Sequence, residues 1–224
     1  MIPWSLLDTA QIPGGGELRL MQRGGEFSIR LGATELMNSH RSGSEEALAT
    51  LTCERIEAGT RAHILIGGLG MGFTLRATLA ALGTDAHIVV AELVPAVVAW
   101  ARGPMADIFD DSLADPRVAI REEDVGHVIR SEPAVYDAIM LDVDNGPEGV
   151  SRKANDALYS LEGLRAVRAA LRPAGVLAVW SSTPNSGFKQ RLHKTNFAVE
   201  EIRVRANGPH GGAHHVIWIA KRNG

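Results

Sequence analysis

The residues of this 224-residue chain whose types and spacing could do chemistry are one glycine turn and three acidic positions downstream of it. The segment ILIGGLGMGFTLRATL, residues 64–79, runs an apolar pattern into Gly67, Gly68, Gly70 and Gly72 and then into a helical pattern. Glycines so placed permit a tight turn, approach of a ligand to the backbone and close helix packing. A lone cluster of this kind also fits an ordinary strand-to-helix turn, so the surroundings decide. Glu92 follows 24 residues after Gly68, at the end of the next apolar run, where an acid can accept hydrogen bonds from both ribose hydroxyls. The next run ends in Glu122, Glu123 and Asp124, and the one after it in Asp142 and Asp144. Acids at successive carboxyl ends of a parallel sheet collect in the crevice where ligands bind. Singly, each also fits a helix cap or a solvated loop; together they describe a nucleoside-binding crevice.

The elements that must position these residues follow from periodicity. From His63 onward the short apolar runs HILIGG, HIVVAE, RVAIRE, YDAIMLD and GVLAVWSS alternate with the helical patterns FTLRATLAALG, PAVVAWARGPM and ALYSLEGLRAVRAALRPAG. Nearly all-apolar strands separated by helices indicate a parallel sheet covered on both faces. The end differs: FAVEEIRVR and HHVIWIAKR are strand patterns with no helix between them, which predicts an antiparallel pair at one edge. The expectation is an α/β, Rossmann-like class I methyltransferase fold with a mostly parallel seven-stranded sheet and an antiparallel C-terminal strand. Upstream, ELRLMQR and EFSIRL flank Gly24 and Gly25 and read as a β-hairpin. Ser44 then reads as the N-cap of a helix running to about Ala58. Residues 1–43 are accordingly expected as a hairpin extension and residues 44–224 as the Rossmann-like domain. Asp137, just before a buried strand, is expected on the side of the sheet away from the crevice.

Composition excludes several classes. The net charge of -3 and pI near 6.2 argue against nucleic acid as a partner. No apolar run approaches the roughly 20 residues of a membrane span, and the N-terminus lacks the pattern of a signal peptide, so the expectation is a cytoplasmic protein. Cys53 is the single cysteine, which leaves no intrachain disulfide and no cysteine-based zinc site within this sequence. His210, His214 and His215 sit among glycines, with the last two expected on opposite faces of a strand, and no metal is expected. Phe188 and Leu192 have helical i, i+4 spacing, and the basic residues of 189–194 fit the solvated face of that helix. Trp4 and Trp100 read as packing residues.

The segments HILIGGLGMGFTLRATL, VVAELVPAVVAWAR and YDAIMLDVDNGPEG, with LRLMQRGGEFSIRL and SEEALATL before them, resemble the spermidine synthase family of polyamine aminopropyltransferases from about Gly16 to Trp180. Ile66 stands before the glycines where many methyltransferases carry an acid. The resemblance implies a nucleoside sulfonium donor, S-adenosylmethionine or its decarboxylated form, held by Gly67, Gly68, Gly70, Gly72, Glu92, Leu93, Asp124, Val125 and Asp142. It implies that Asp142, with Asp144, orients and deprotonates an attacking amine, and that the protein forms a homodimer. Glu45, Asn145 and Trp180 are the candidate contacts of a small-molecule acceptor; Trp180 and Asn185 are so placed by following the fifth strand, where Trp180 equally fits the core. A sulfonium carbon is already activated, so one carboxylate that aligns a nucleophile and accepts its proton suffices.

The departures concern the donor's amino end and the acceptor side. The family carries an acid at the position of Gly70, a tyrosine-glutamine pair where Ser44 and Glu45 stand, and a different segment from WSSTPNSGFKQRLHKTNF after the fifth strand. Three functions follow from different classes: methyl transfer to a small nucleophile, slightly favoured; aminopropyl transfer to a polyamine; and nucleoside binding without catalysis, against which Asp142 argues.

Overall fold

The computed structural model of the chain describes residues 2–56, 61–143, 146–147, 157–208 and 211–223. It opens on an antiparallel sheet of β1 (Ser5–Gln11), β2 (Glu17–Arg23), β3 (Glu26–Leu31) and β4 (Thr34–Asn38), paired in that order. The expected hairpin is its centre, β2 turning into β3 with Gly24 at a φ of +61°. The strands on either side escape periodicity for a physical reason. β1 is almost wholly exposed, so no buried face imposes alternation on it, and β4 is only five residues long.

Helix α1 (Gly43–Cys53) follows. The Ser44 cap expected from the sequence is corrected here: Ser42 is the N-cap, without a side-chain capping bond, and Ser44 lies inside the first turn, 1% exposed. The cause is tertiary. The Gly43 amide donates to Ala206 O at 3.0 Å, and a Cβ on Gly43 would stand 2.2 Å from Gly208 N, so the far end of the chain fixes the helix start. The helix ends at Cys53, and the Ala58 end point lies outside the described residues.

The second sheet follows the alternation with two corrections: a strand begins at Leu171, inside the stretch ALYSLEGLRAVRAALRPAG read as helical, where Pro173 cannot continue a helix, and a helix stands at Val125–Ser131 where none was expected. Its elements are β5 (His63–Gly67), α2 (Phe73–Ala81), β6 (His87–Ala91), α3 (Pro95–Arg102), α4 (Ala106–Phe109), a 3-10 turn at Asp110–Leu113, β7 (Val118–Arg121), α5 (Val125–Ser131) and β8 (Tyr136–Leu141). After β8 come α6 (Leu161–Ala170), β9 (Leu171–Ser181), α7 (Ser186–Lys194), β10 (Phe197–Arg205) and β11 (His214–Arg222). The strand order is β10-β11-β9-β8-β5-β6-β7, with β11 antiparallel to both neighbours and β5 to β9 mutually parallel. The antiparallel ending expected from the sequence is therefore present.

Two apolar layers sandwich this sheet. Ile64, Ile66, Ile88, Val90 and Met140 face one, with Leu48, Leu75, Val97 and the N-terminal sheet's Leu20 and Ile29. Leu65, Val89, Ile139 and Leu141 face the other, with Val128, Leu164, Val167, Phe188 and Leu192. Burial on both faces is why the strands read as unbroken apolar runs. Among the described residues no helix is long and apolar enough to cross a membrane.

Candidate active site

Apolar packing ends at the carboxyl edge of β5, and there the glycine turn begins. Gly67 closes the strand with Val125 and Leu141 side chains about its α-carbon, and it lines neither cavity described below. Gly68, at φ +90°, brings its backbone so near Asp142 O that a Cβ would lie 2.6 Å away. Gly70, at φ +52°, passes under Met37 Sδ. Gly72, at φ +77°, caps α2 and packs on Phe109, whose ring would lie 2.4 Å from an added Cβ. The four glycines thus do different work: strand packing, contact with the β8 end, an open wall and a helix cap.

Glu92 ties this turn to the next element. Its Oε2 accepts from the Leu69 amide at 2.9 Å and its Oε1 from the Val94 amide at 2.8 Å, which joins the glycine turn to the start of α3. Burial pushes its carboxyl pKa up against the pull of those backbone bonds. Each oxygen keeps a lone pair for a ligand hydroxyl. Asp124 serves as N-cap of α5, its Oδ1 accepting from His127 N at 3.2 Å.

Two adjoining cavities open over these residues. The first, of about 130 Å³, is lined by Gly68, Gly70, Glu92, Leu93, Asp124, Val125 and Asp142 and roofed by Ile12, Leu18, Ile29, Leu31, Leu36 and Met37 of the N-terminal sheet region. The second, of about 260 Å³, is lined by Arg41, Ser44, Glu45, Gly72, Thr74, Trp180 and His215. Leu36, Met37, Gly70 and Asp142 line both. Of the residues the resemblance assigns to a donor, Gly72 alone lines only the second cavity. The candidate residues Asp144 and Asn145, and His210, lie outside the described residues.

Asp142 stands at the junction. Thr74 Oγ1, in the first turn of α2, donates to its Oδ2 at 3.1 Å, which favours the carboxylate, while burial outweighs it and pushes the pKa up to about 6. Glu45 faces it from α1; burial, then repulsion from Asp142, pushes the Glu45 pKa up to about 7 despite a hydrogen bond from Ser44 Oγ at 2.6 Å. Trp180 closes the wall with its ring edge-on to His215 at 4.7 Å.

The remaining sequence candidates are structural. Asp137 accepts from His63 N and from Arg172 Nη1, both at 2.8 Å, at the opposite end of the strands. On α7 Lys189 pairs with Glu201 at 3.5 Å and Arg191 donates to Tyr159 O at 2.9 Å, while Phe188 and Leu192 are fully buried. His214 is exposed and His215 turns inward to Ser44, so the two neighbours part as strand geometry requires. Trp100 is buried, its Nε1 donating to Asp8 Oδ2 at 2.7 Å, and Trp4 carries the guanidinium of Arg23 over its ring at 4.6 Å. Sequence reasoning missed Thr74, His215 and Met37. Thr74 had a signal, a hydroxyl on the first turn after the glycines; His215 and Met37 reach the site from distant strands and had none.

Comparison with known proteins places this geometry. No protein-family model matches the chain. The polyamine aminopropyltransferase of Mycobacterium tuberculosis is 31% identical over 140 residues, 61% of this chain and 26% of that protein. Polyamine aminopropyltransferase 1 of Streptomyces coelicolor is 33% identical over 129 residues, 57% of this chain and 23% of that protein. The chain thus matches about a quarter of the length of these relatives. Spermidine synthase from Thermotoga maritima superposes with a TM-score of 0.77 at 18% identity, over 97% of this chain and 73% of that one. A Burkholderia thailandensis 1,6-didemethyltoxoflavin-N1-methyltransferase, solved with bound 1,6-didemethyltoxoflavin and S-adenosylhomocysteine, gives 0.57 at 17% identity over 82% of this chain and 80% of that one. At such identities the structures speak for the fold alone. The chain is thus similar in sequence to polyamine aminopropyltransferases and shares the fold of spermidine synthase and of this methyltransferase.

Proposed function

We propose that the protein transfers a group from an S-adenosylmethionine-type donor to a small nucleophile, an amine in the first instance. The observation that carries this reading is the place of Asp142, at the junction of a cavity edged by Gly68, Glu92 and Asp124 with one edged by Glu45 and Trp180. A sulfonium carbon in the first cavity and a nucleophile in the second would meet there. An ammonium acceptor would give one proton to ionised Asp142, and its freed lone pair would attack the sulfonium carbon. The carbon–sulfur bond would break with its electrons going to sulfur, the new positive charge staying on nitrogen. Binding in a fixed line supplies most of the acceleration for an activated electrophile, and the carboxylate supplies general-base help.

Methyl transfer is the first form of the reading. Decarboxylated donor would present a free ammonium where Gly70 offers no acid, and a side chain at Gly70 would meet both a φ of +52° and Met37 Sδ at 3.3 Å. Aminopropyl transfer to a polyamine is the second, favoured by the two carboxylates of the second cavity and by relatives named polyamine aminopropyltransferases. A homodimer belongs to the same proposal: Ile2 just ahead of β1, and Leu6 and Leu7 on β1 at the edge of the N-terminal sheet, are exposed by 65%, 54% and 41%.

Calorimetric titration with S-adenosylmethionine, decarboxylated S-adenosylmethionine and methylthioadenosine side by side tests the reading. Tighter binding of the carboxylated donor supports methyl transfer, and tighter binding of the decarboxylated donor restores aminopropyl transfer. Binding of none of the three removes the transferase reading.

A further inference from the structure

Asp142 does not stand alone in the acceptor cavity. Glu45 reaches the same space from the first turn of α1 and interacts with it through space, and among the described residues neither carboxylate meets a lysine or arginine in an ion pair. Two partly desolvated carboxylates facing each other cannot both ionise cheaply; the pair retains one proton or recruits a cation. The side chains behind them differ. Asp142 has the Thr74 hydroxyl donating to it, which stabilises its ionised form. Glu45 leans on Ser44 Oγ at 2.6 Å, and that oxygen is 3.0 Å from His215 Nδ1, whose ring rests against Trp180. A hydroxyl between a carboxyl group and an imidazole can donate to one and accept from the other, so it serves either protonation state of Glu45.

We propose that Glu45 is a second acid–base residue of this site, sharing one proton with Asp142, and that Ser44 and His215 are positioning residues that hold it there. The inference rests on the transferase reading and deepens it. With the shared proton on Glu45, Asp142 stays ionised and free to accept the acceptor's proton. The pair then presents one negative charge in place of two, which matches a single ammonium group. After proton uptake both carboxyls are neutral, so no uncompensated anion is left beside the departing cationic product. Burial and the nearby Arg41 guanidinium hold the His215 pKa below its usual value, which keeps the ring neutral at pH 7 and able to accept from Ser44. The other charged groups around the pair are Glu46 on α1, Glu35 and Arg41 from the N-terminal side, and Glu92 and Asp124 beyond Asp142.

The test is carboxyl-13C NMR of the whole chain labelled at Asp and Glu, followed across pH in the wild type, Glu45→Gln, Ser44→Ala, Ser44→Thr and His215→Phe. In the wild type the two carboxyls should titrate in linked steps. Glu45→Gln should leave Asp142 a single step, moved down by about one pH unit or more. Ser44→Ala should move Glu45 upward because the hydroxyl favours its ionised form, Ser44→Thr should return it, and His215→Phe, which keeps a ring beside Trp180, should also displace it. Independent titrations in the ordinary carboxylate range, or an Asp142 curve indifferent to Glu45→Gln, would overturn the proposal, and the wild-type curves decide it even where a variant fails to fold. Calorimetry with S-adenosylmethionine on the same wild-type sample separates the two failures. No donor binding overturns the transferase reading and the acid–base role with it; donor binding with uncoupled carboxyls overturns the pair alone.

Discussion

Asp142 and Glu45 carry opposite consequences for activity and for stability. As a base Asp142 must be ionised, and with its pKa raised to about 6 the rate should fall as pH drops through that value, giving an acidic limb in the pH profile of turnover. Asp142→Asn should cost about 10²- to 10⁴-fold in kcat and leave donor affinity within a few-fold, as steady-state rates and calorimetry would show. An affinity that fell as far as the rate would make Asp142 a donor-binding residue and no base. Glu45 is read through linkage. Its folded-state pKa of about 7 lies above the unfolded value, so the folded state binds the extra proton and stability falls as pH rises between the two. Glu45→Gln removes that loss. It should raise the melting temperature at pH 8 by about 2–4 °C, the response of a domain this size to a change near 1 kcal/mol, with the gain fading as pH falls below the unfolded carboxylate value.

At the scale of elements, the glycine turn is fixed as much by packing as by any ligand. Gly72 combines left-handed backbone with a Phe109 ring that would lie 2.4 Å from a Cβ. Gly72→Ala should therefore destabilise the fold by about 1–3 kcal/mol in urea unfolding, from backbone strain and overpacking together. An unchanged midpoint would mean that Phe109 and the turn yield easily, and Gly72 would lose its structural explanation. The same element shows how one residue serves two masters. Asp124 caps α5 and lines the smaller cavity, so its position at the strand end was legible while its capping bond was not. Ser44 is the reverse case: its type suggested a cap, and the fold spent it on Glu45 and His215.

For the whole molecule, the N-terminal sheet helps to build the candidate site, since its apolar side chains roof the smaller cavity while its outer strand exposes Leu6 and Leu7. Sedimentation velocity should show a dimer, and Leu6→Asp with Leu7→Asp should shift it to a monomer that still folds, because those side chains make no core contact. A wild-type monomer at micromolar concentration would remove the dimer from the proposal.

Sequence alone determined the alternation of apolar strands with helices from His63 onward in outline, the central hairpin of the N-terminal sheet, the glycine turn, and the acids at the strand ends. Burial on two faces, helix periodicity and turn chemistry are local demands that each segment must meet with its own residues. It determined Glu92, Asp124 and Asp142 because a parallel sheet delivers its strand ends to one edge wherever the strands fall in the chain. Only the tertiary structure decided that a four-stranded sheet closes over the crevice, that α1 begins at Gly43 against the Ala206–Gly208 turn, and that His215 stands 3.0 Å from Ser44, 171 residues away. Those contacts depend on how distant segments pack, and no periodicity within one segment encodes which hydroxyl a strand at the other end of the chain will meet.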